Sequence, residues 1–149
     1  MSRGKNTILL VIVAALSLVL TACLSPAKSA ETLEGAEWVL VSLNGNRLVA
    51  GSNITLNFAE GKAAGFSGCN SYGGQYTATG DGSLQIPELA VTVMLCLMPE
   101  GVMQQEEVYV KALSSAAAYR VVDNRLEIDD ASGETILVFE RKKDIRSIR

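Results

Sequence analysis

The chain has 149 residues, is 48% hydrophobic and 5% aromatic, and carries 13 Lys and Arg against 16 Asp and Glu, a net charge of −3. That length suits one domain with a real core. It contains no histidine, which excludes Ser–His and Cys–His nucleophile systems and the usual zinc sites.

Residues 1–6 include Arg3 and Lys5 and no acid, and residues 7–20 are apolar apart from Thr7 and Ser17. A basic start, a short apolar run and small residues after it predict a secretory signal. The alternative, a transmembrane anchor, wants a run of about 20 residues. The stretch Leu20-Thr21-Ala22-Cys23 resembles the bacterial lipoprotein box. The resemblance implies a lipoprotein signal peptide over 1–22, cleavage before Cys23, and lipid on the sulfur and amine of Cys23. Two or more acyl chains hold a protein on a membrane where one does so only marginally. Leu24 follows where inner-membrane retention would want Asp. The expected address is therefore membrane-anchored after export, at the periplasmic face of the outer membrane if the source is Gram-negative. Residues 23–36 lack periodicity and read as a lipid-anchored flexible tether. The folded domain is expected over 37–141, followed by a basic tail over 142–149 that reads as a solvated end. Export and an acidic body speak against nucleic acid as a partner.

Within the domain the signals are mostly for strands. Ile54, Leu56 and Phe58 alternate with Thr55 and Asn57, and Leu126 and Ile128 alternate with Arg125, Glu127 and Asp129. This period of two predicts half-buried antiparallel strands, with the first set inward and the second outward. "EWVLVSL" and "TILVFER" are β-rich runs near the two ends, and Asn44-Gly45, Glu60-Gly61, Gly80-Asp81-Gly82, Asp123-Asn124 and Ser132-Gly133 punctuate the chain as turns. About eight strands in a small antiparallel barrel or sandwich are expected.

One segment has a different period. Pro99 and Glu100 are good first-turn residues. Val102, Tyr109, Val110, Leu113, Ala116 and Ala117 then gather on one side of a helix predicted over about 99–116, with Gln104, Gln105, Val108 and Lys111 elsewhere. Glu106 falls near the centre of the apolar stripe, where a carboxylate must be paired, hydrogen-bonded or protonated. The helix is expected to pack on the sheet and cover strand edges.

Residues 65–76, "GFSGCNSYGGQY", hold four glycines, a cysteine, an asparagine and two tyrosines. A phosphate-cradling loop would lie between a strand and a helix N-terminus. This stretch lies between two β segments and reads instead as a bent strand pair. Asn70 is expected in a left-handed or turn conformation, bonding its own backbone. Tyr72 and Tyr76 share one alternation parity. Once Cys23 carries lipid, Cys69 and Cys96 remain, and an even pair in an exported domain predicts a disulfide. The alternative is a redox couple, which has no Cys-x-x-Cys and no histidine to support it.

Trp38-Val39-Leu40, Gly68-Cys69-Asn70 with Tyr72, Thr92-x-Met94-x-Cys96, and Glu106-x-x-Tyr109-x-x-x-Leu113, in this order, resemble the META domain family, a family of envelope and heat-shock lipoproteins. The resemblance implies an α+β, mainly β fold, a small antiparallel β-barrel of lipocalin-like topology with one helix packed on it. It implies association with stress tolerance and antibiotic resistance, and no enzymatic activity or cofactor. Glu106, at the family's motif position, is expected to accept hydrogen bonds from the Gly-Cys-Asn segment or from around Thr92. Its rival role, a general acid or base with a raised pKa, lacks a second carboxylate or nucleophile at matching spacing.

The leading expectation is thus a non-enzymatic, membrane-tethered envelope protein that binds a partner, an envelope protein or a small ligand, under heat or antibiotic stress. Exposed loops 44–52 and 79–83 are candidate binding surfaces. The alternatives are a carrier of a small apolar ligand inside the barrel and an inhibitor of a secreted hydrolase.

Overall fold

A computed structural model describes residues 33–143. The expected signal peptide, Cys23, residues 24–32 of the tether and residues 144–149 of the tail lie outside the described residues. The strands run in chain order as β1 Glu37–Leu43, β2 Thr55–Ala59, β3 Lys62–Phe66, β4 Ser71–Gln75, β5 Thr77–Ala78, β6 Leu84–Gln85 and β7 Ala90–Val91. The helix α1 Val102–Ser114 follows, then β8 Ala118–Val122, β9 Arg125–Asp129 and β10 Thr135–Arg141. The fold is mainly β with one helix, as the alternating pattern predicts.

Eight strands form one antiparallel sheet in the order β7-β4-β3-β2-β1-β10-β9-β8. Chain neighbours pair through tight turns, with Ala59 opposite Lys62 across Glu60-Gly61 and Val122 opposite Arg125 across Asp123-Asn124. The first and last long strands meet at the centre, Leu40 opposite Phe139. The expected barrel does not close. The edges β7 and β8 never pair, and β5 and β6 form a separate two-stranded ribbon. Strands of two residues, as β5, β6 and β7 are, cannot extend a ladder round the gap. The ribbon touches β8 at one bridge, Ser83 to Ala118, with Leu84 N–H donating to Ala117 O at 3.1 Å and Tyr119 N–H to Gly82 O at 2.7 Å.

Inward residues of the sheet build the core: Trp38, Leu56, Phe58, Leu126, Ile128, Leu137 and Phe139 are buried, closed over by Tyr109 and Leu113 of α1. This interior is filled by side chains and resembles a packed core more than a ligand chamber. Two residues expected outward are buried because they have polar partners. Thr55 Oγ1 accepts from Phe66 N–H at 3.2 Å, and Asp129 binds the Arg120 guanidinium and accepts from the Thr135 hydroxyl at 2.7 Å.

The ordered fold begins earlier than Glu37. Leu33 and Ala36 are buried, Trp38 Nε1 donates to Leu33 O at 3.3 Å, and the Tyr76 hydroxyl donates to Glu34 Oε1 at 2.8 Å. Side chains from distant strands hold this segment, so its own sequence carries no periodic sign of it. At the other end, Lys142 N–H donates to Glu37 O at 2.8 Å. The Arg141 guanidinium lies 4.8 Å from the Trp38 ring centre.

The helix is shorter than 99–116. Gly101, at φ +84, is its N-cap, and that left-handed conformation leaves Pro99 and Glu100 outside. They form a turn instead, Val102 N–H donating to Pro99 O at 3.1 Å. Gln105, expected off the apolar stripe, is buried beside Glu106. No helix of the described residues is long and apolar enough to cross a membrane.

Candidate functional site

The stretch 65–76 holds the end of β3, the turn and all of β4. Gly65 permits its closest approach: a Cβ there would lie 2.0 Å from Thr55 O and 2.9 Å from the Tyr72 hydroxyl. The Tyr72 hydroxyl crosses that gap to donate to Thr55 O at 2.8 Å. Tyr109 of α1 then donates to Tyr72 at 2.6 Å, since the Tyr72 proton is already committed. The two rings meet edge to face at 5.5 Å. Burial raises the pKa of both phenols above the ordinary value, most of all that of Tyr109, so neither ionises in the physiological range.

The turn of this hairpin, 67–70, is bound to the helix through Glu106. Its Oε2 accepts from the Ser67 hydroxyl and, at 2.8 Å, from Asn70 N–H, while Oε1 accepts from Asn70 Nδ2 at 2.7 Å. Gly68, at φ +105, lets the chain turn there. Asn70 does not bond its own backbone as expected. Its Oδ1 reaches outward, accepting from Met94 N–H at 2.8 Å and the Thr92 hydroxyl at 3.0 Å. The Cys69–Cys96 disulfide closes beside this link, with Cα atoms 5.8 Å apart. Helix, hairpin turn and the segment after β7 are thus joined through one asparagine. Glu106 meets the Gly-Cys-Asn segment directly and reaches Thr92 only through Asn70.

Burial pushes the Glu106 carboxyl up. The hydrogen bonds from Ser67, from the Asn70 side chain and from the backbone N–H groups of Asn70 and Cys69 outweigh it and hold the pKa below the ordinary glutamate value. An ionised carboxylate whose lone pairs face fixed donors is an acceptor, poorly suited to proton delivery. Every buried side-chain nitrogen and oxygen among the described residues has a partner. Among them no group of three or more Cys, Asp and Glu is placed to hold a metal.

The polar work of this cluster has an apolar product. Past Thr92 the chain leaves the sheet, and its side chains stand in solvent: Val93 is 98% exposed, Met94 59%, Leu95 78%, Leu97 76% and Met98 78%. Burying one such side chain is worth about 1.5–3 kcal/mol, so a loop that keeps five in water is held there by its base. Met94, a motif residue, enters the link through its backbone, not its side chain. Beside the loop, an open groove of about 560 Å³ runs between Val91 and the α1 residues Met103, Glu107 and Val110.

The loops expected to bind are bonded to themselves and to the helix. Gln105 Oε1 accepts from Val49 N–H at 2.6 Å and its Nε2 donates to Ser52 Oγ at 2.8 Å, fixing 44–52 near the start of α1. Asp81 accepts from the Thr79 hydroxyl and, at 3.0 Å, from Ser83 N–H. These bonds lower its pKa. Sequence reasoning missed Ser67, Gln105 and the exposed run 93–98. The available signal was "AVTVMLCLM", uncharged from Leu89 to Pro99 and apolar at both alternation parities, which a half-buried strand does not need.

An antiparallel sheet closed by one helix, a glutamate-pinned Gly-Cys-Asn turn and a disulfide to Cys96 define a small β-rich domain built around a fixed loop. The META domain family model matches residues 31–143, and the chain belongs to that family. A protein from Burkholderia xenovorans solved by NMR is similar at 30% identity, with a TM-score of 0.60, over 75% of this chain and 85% of that one. A second protein solved by NMR, 24% identical, shares the fold with a TM-score of 0.58 over 75% and 93% of the two chains. No curated protein matches the sequence.

Proposed function

We propose that this protein is a non-enzymatic envelope lipoprotein, anchored through Cys23, whose META domain acts by binding. The physiology, tolerance of heat, antibiotic or other envelope stress, follows from the family resemblance. The observation that carries the binding reading is the loop 93–98, with five large apolar side chains held in solvent by the Asn70–Glu106 link and the disulfide. Exposed contiguous apolar surface on a soluble domain marks an interaction site. Two observations disfavour catalysis: the lowered pKa of Glu106 and the structural role of each of its bonds. A carrier using the interior is disfavoured by the filled core.

The test pairs Leu95→Asp with Leu97→Asp in cells lacking the wild-type gene. Both side chains are exposed, so the variant protein should melt like wild type and keep its lipid by intact mass. It should fail to restore growth under heat or antibiotic challenge. Full restoration by a folded, lipidated variant would contradict the binding reading. A mass without lipid on Cys23 would contradict the anchor alone.

A further inference from the structure

We infer that the occupant of the 93–98 loop is the bilayer itself, with the loop inserting its tip into the lipid interface. The inference rests on the reading of this loop as the binding surface. Three observations carry it beyond that.

The first is shape. Residues 92–97 form neither strand nor helix, so no pleat or helical period confines their side chains to one face. Val93, Met94 and Leu95 are consecutive and all three are exposed. A protein partner laid on one face would leave the other wet, whereas a fluid apolar phase surrounds both. The second is composition. The exposed set is Val, Met and Leu, without an aromatic or charged side chain. Protein interfaces favour Tyr, Trp, Phe, Met and Arg; of these the tip has only Met94 and Met98, and its other exposed side chains, Val93, Leu95 and Leu97, ask only for hydrocarbon. The amides nearest the base are satisfied within the protein, Thr92 N–H on Ser71 O at 3.0 Å and Met94 N–H on Asn70 Oδ1 at 2.8 Å. The tip need enter only the roughly 5–10 Å boundary layer, where headgroups and water serve the remaining backbone.

The third is reach. Glu34 is held by Tyr76, five residues along the chain from Ser71, the partner of Thr92. At about 3.3 Å per residue that places the start of the fold roughly 17 Å from the base of the loop. Ten residue steps separate Cys23 from Leu33 and span on the order of 35 Å when extended. A lipid on Cys23 and the loop tip can therefore occupy the same membrane. Tethering raises the local lipid concentration, so a weak insertion suffices.

Charge sets the lipid preference. No Lys or Arg occurs between Lys62 and Lys111, and Glu88 and Glu100 flank the loop, both exposed. The flanking acids disfavour anionic headgroups, against the single cation Lys111 on the groove beside the loop.

The test uses Leu95→Trp in the full lipid-bearing protein on phosphatidylcholine vesicles. Trp38 is buried and supplies a constant background. The new indole should shift to the blue and lose emission to lipids brominated in the acyl chain. Gln85→Trp, at an exposed position of the β5–β6 ribbon, should do neither. Phosphatidylglycerol should weaken the effect. A second arm, Cys23→Ser held to nickel-chelating lipid by an N-terminal histidine tag, separates the readings. Quenching there but no lipid on the native protein would sink the Cys23 anchor and keep insertion. An indole that stays water-accessible in both arms overturns insertion. A photo-crosslinker at residue 95 that yields a discrete protein adduct on native membranes, and none to lipid, also overturns it and assigns the loop to a protein.

Discussion

Glu106 is the residue on which most of the site depends. Glu106→Leu strands Asn70 N–H and leaves the Ser67 hydroxyl only Asn70 O, at 2.7 Å, and Asn70 Nδ2 only the long bond to Met94 O at 3.4 Å. Each orphaned buried group costs about 1–3 kcal/mol. Glu106→Gln keeps an acceptor for Asn70 N–H and the Ser67 hydroxyl and loses only the bond from Asn70 Nδ2, so its loss should be clearly smaller. Thermal melts of the two variants should differ clearly; coincident melting temperatures would sink the claim that these bonds, not the volume of the side chain, fix the helix. A pH prediction follows. The folded pKa of Glu106 lies below its unfolded value, so its contribution is present above the unfolded value of about 4.3 and is lost as pH falls through the folded pKa. Acid melts of wild type should steepen below that point relative to Glu106→Gln; parallel curves would refute the linkage. Tyr72 and Tyr109 offer an asymmetric pair. Tyr72→Phe leaves the Tyr109 proton without an acceptor and Thr55 O without its side-chain donor. Tyr109→Phe leaves no donor stranded. The first should lower stability by about 1–3 kcal/mol and the second by about 1, measured by urea titration; a reversed order would show that the chain of donors runs the other way.

At the scale of elements, the disulfide and the Asn70 link hold one loop by two means. Cys69 and Cys96 are 27 residues apart, and on the chain-entropy model their bridge contributes roughly 3–4 kcal/mol. Cys69→Ala with Cys96→Ala should lower the melting temperature markedly while leaving far-UV circular dichroism intact. An unchanged melting temperature would mean that the polar link alone fixes the segment. Much of this was legible in the sequence. The alternation of Leu56 with Asn57 and of Leu126 with Glu127 placed two core strands, and the apolar side of α1 placed Tyr109 and Leu113. The paired Cys69 and Cys96 tied the Gly-Cys-Asn turn to the segment before the helix, but gave no sign that this segment is exposed. What was not legible depended on contacts far apart in sequence. Gln105 reads as a surface glutamine until Val49 and Ser52 meet it 53 or more residues away. Asp129 reads as a solvated strand residue until Arg120 and Thr135 close on it. Barrel closure failed for a local reason that periodicity cannot show, since β5 to β7 are only two residues each.

At the scale of the whole molecule, among the described residues an apolar core lies under a surface with one large apolar tip, the loop 93–98, which a domain free in solution does not need. The described residues carry 8 Lys and Arg against 14 Asp and Glu, which keeps such a domain soluble while one uncharged loop stays exposed. Loop 93–98 is expected to be covered when the protein sits in its envelope. Methionine oxidation reads out that cover. Met94 and Met98 are exposed, while Met103 on α1 is half-buried and serves as reference. The measurement is peroxide footprinting by mass spectrometry, on native membranes and on the same protein purified in detergent-free buffer after release from its lipid anchor. Met94 and Met98 should oxidise rapidly in the released protein and be protected on the membrane, with Met103 unchanged. Equal oxidation of Met94 and Met98 in both states would mean that nothing covers the loop, and the binding reading would fail with it.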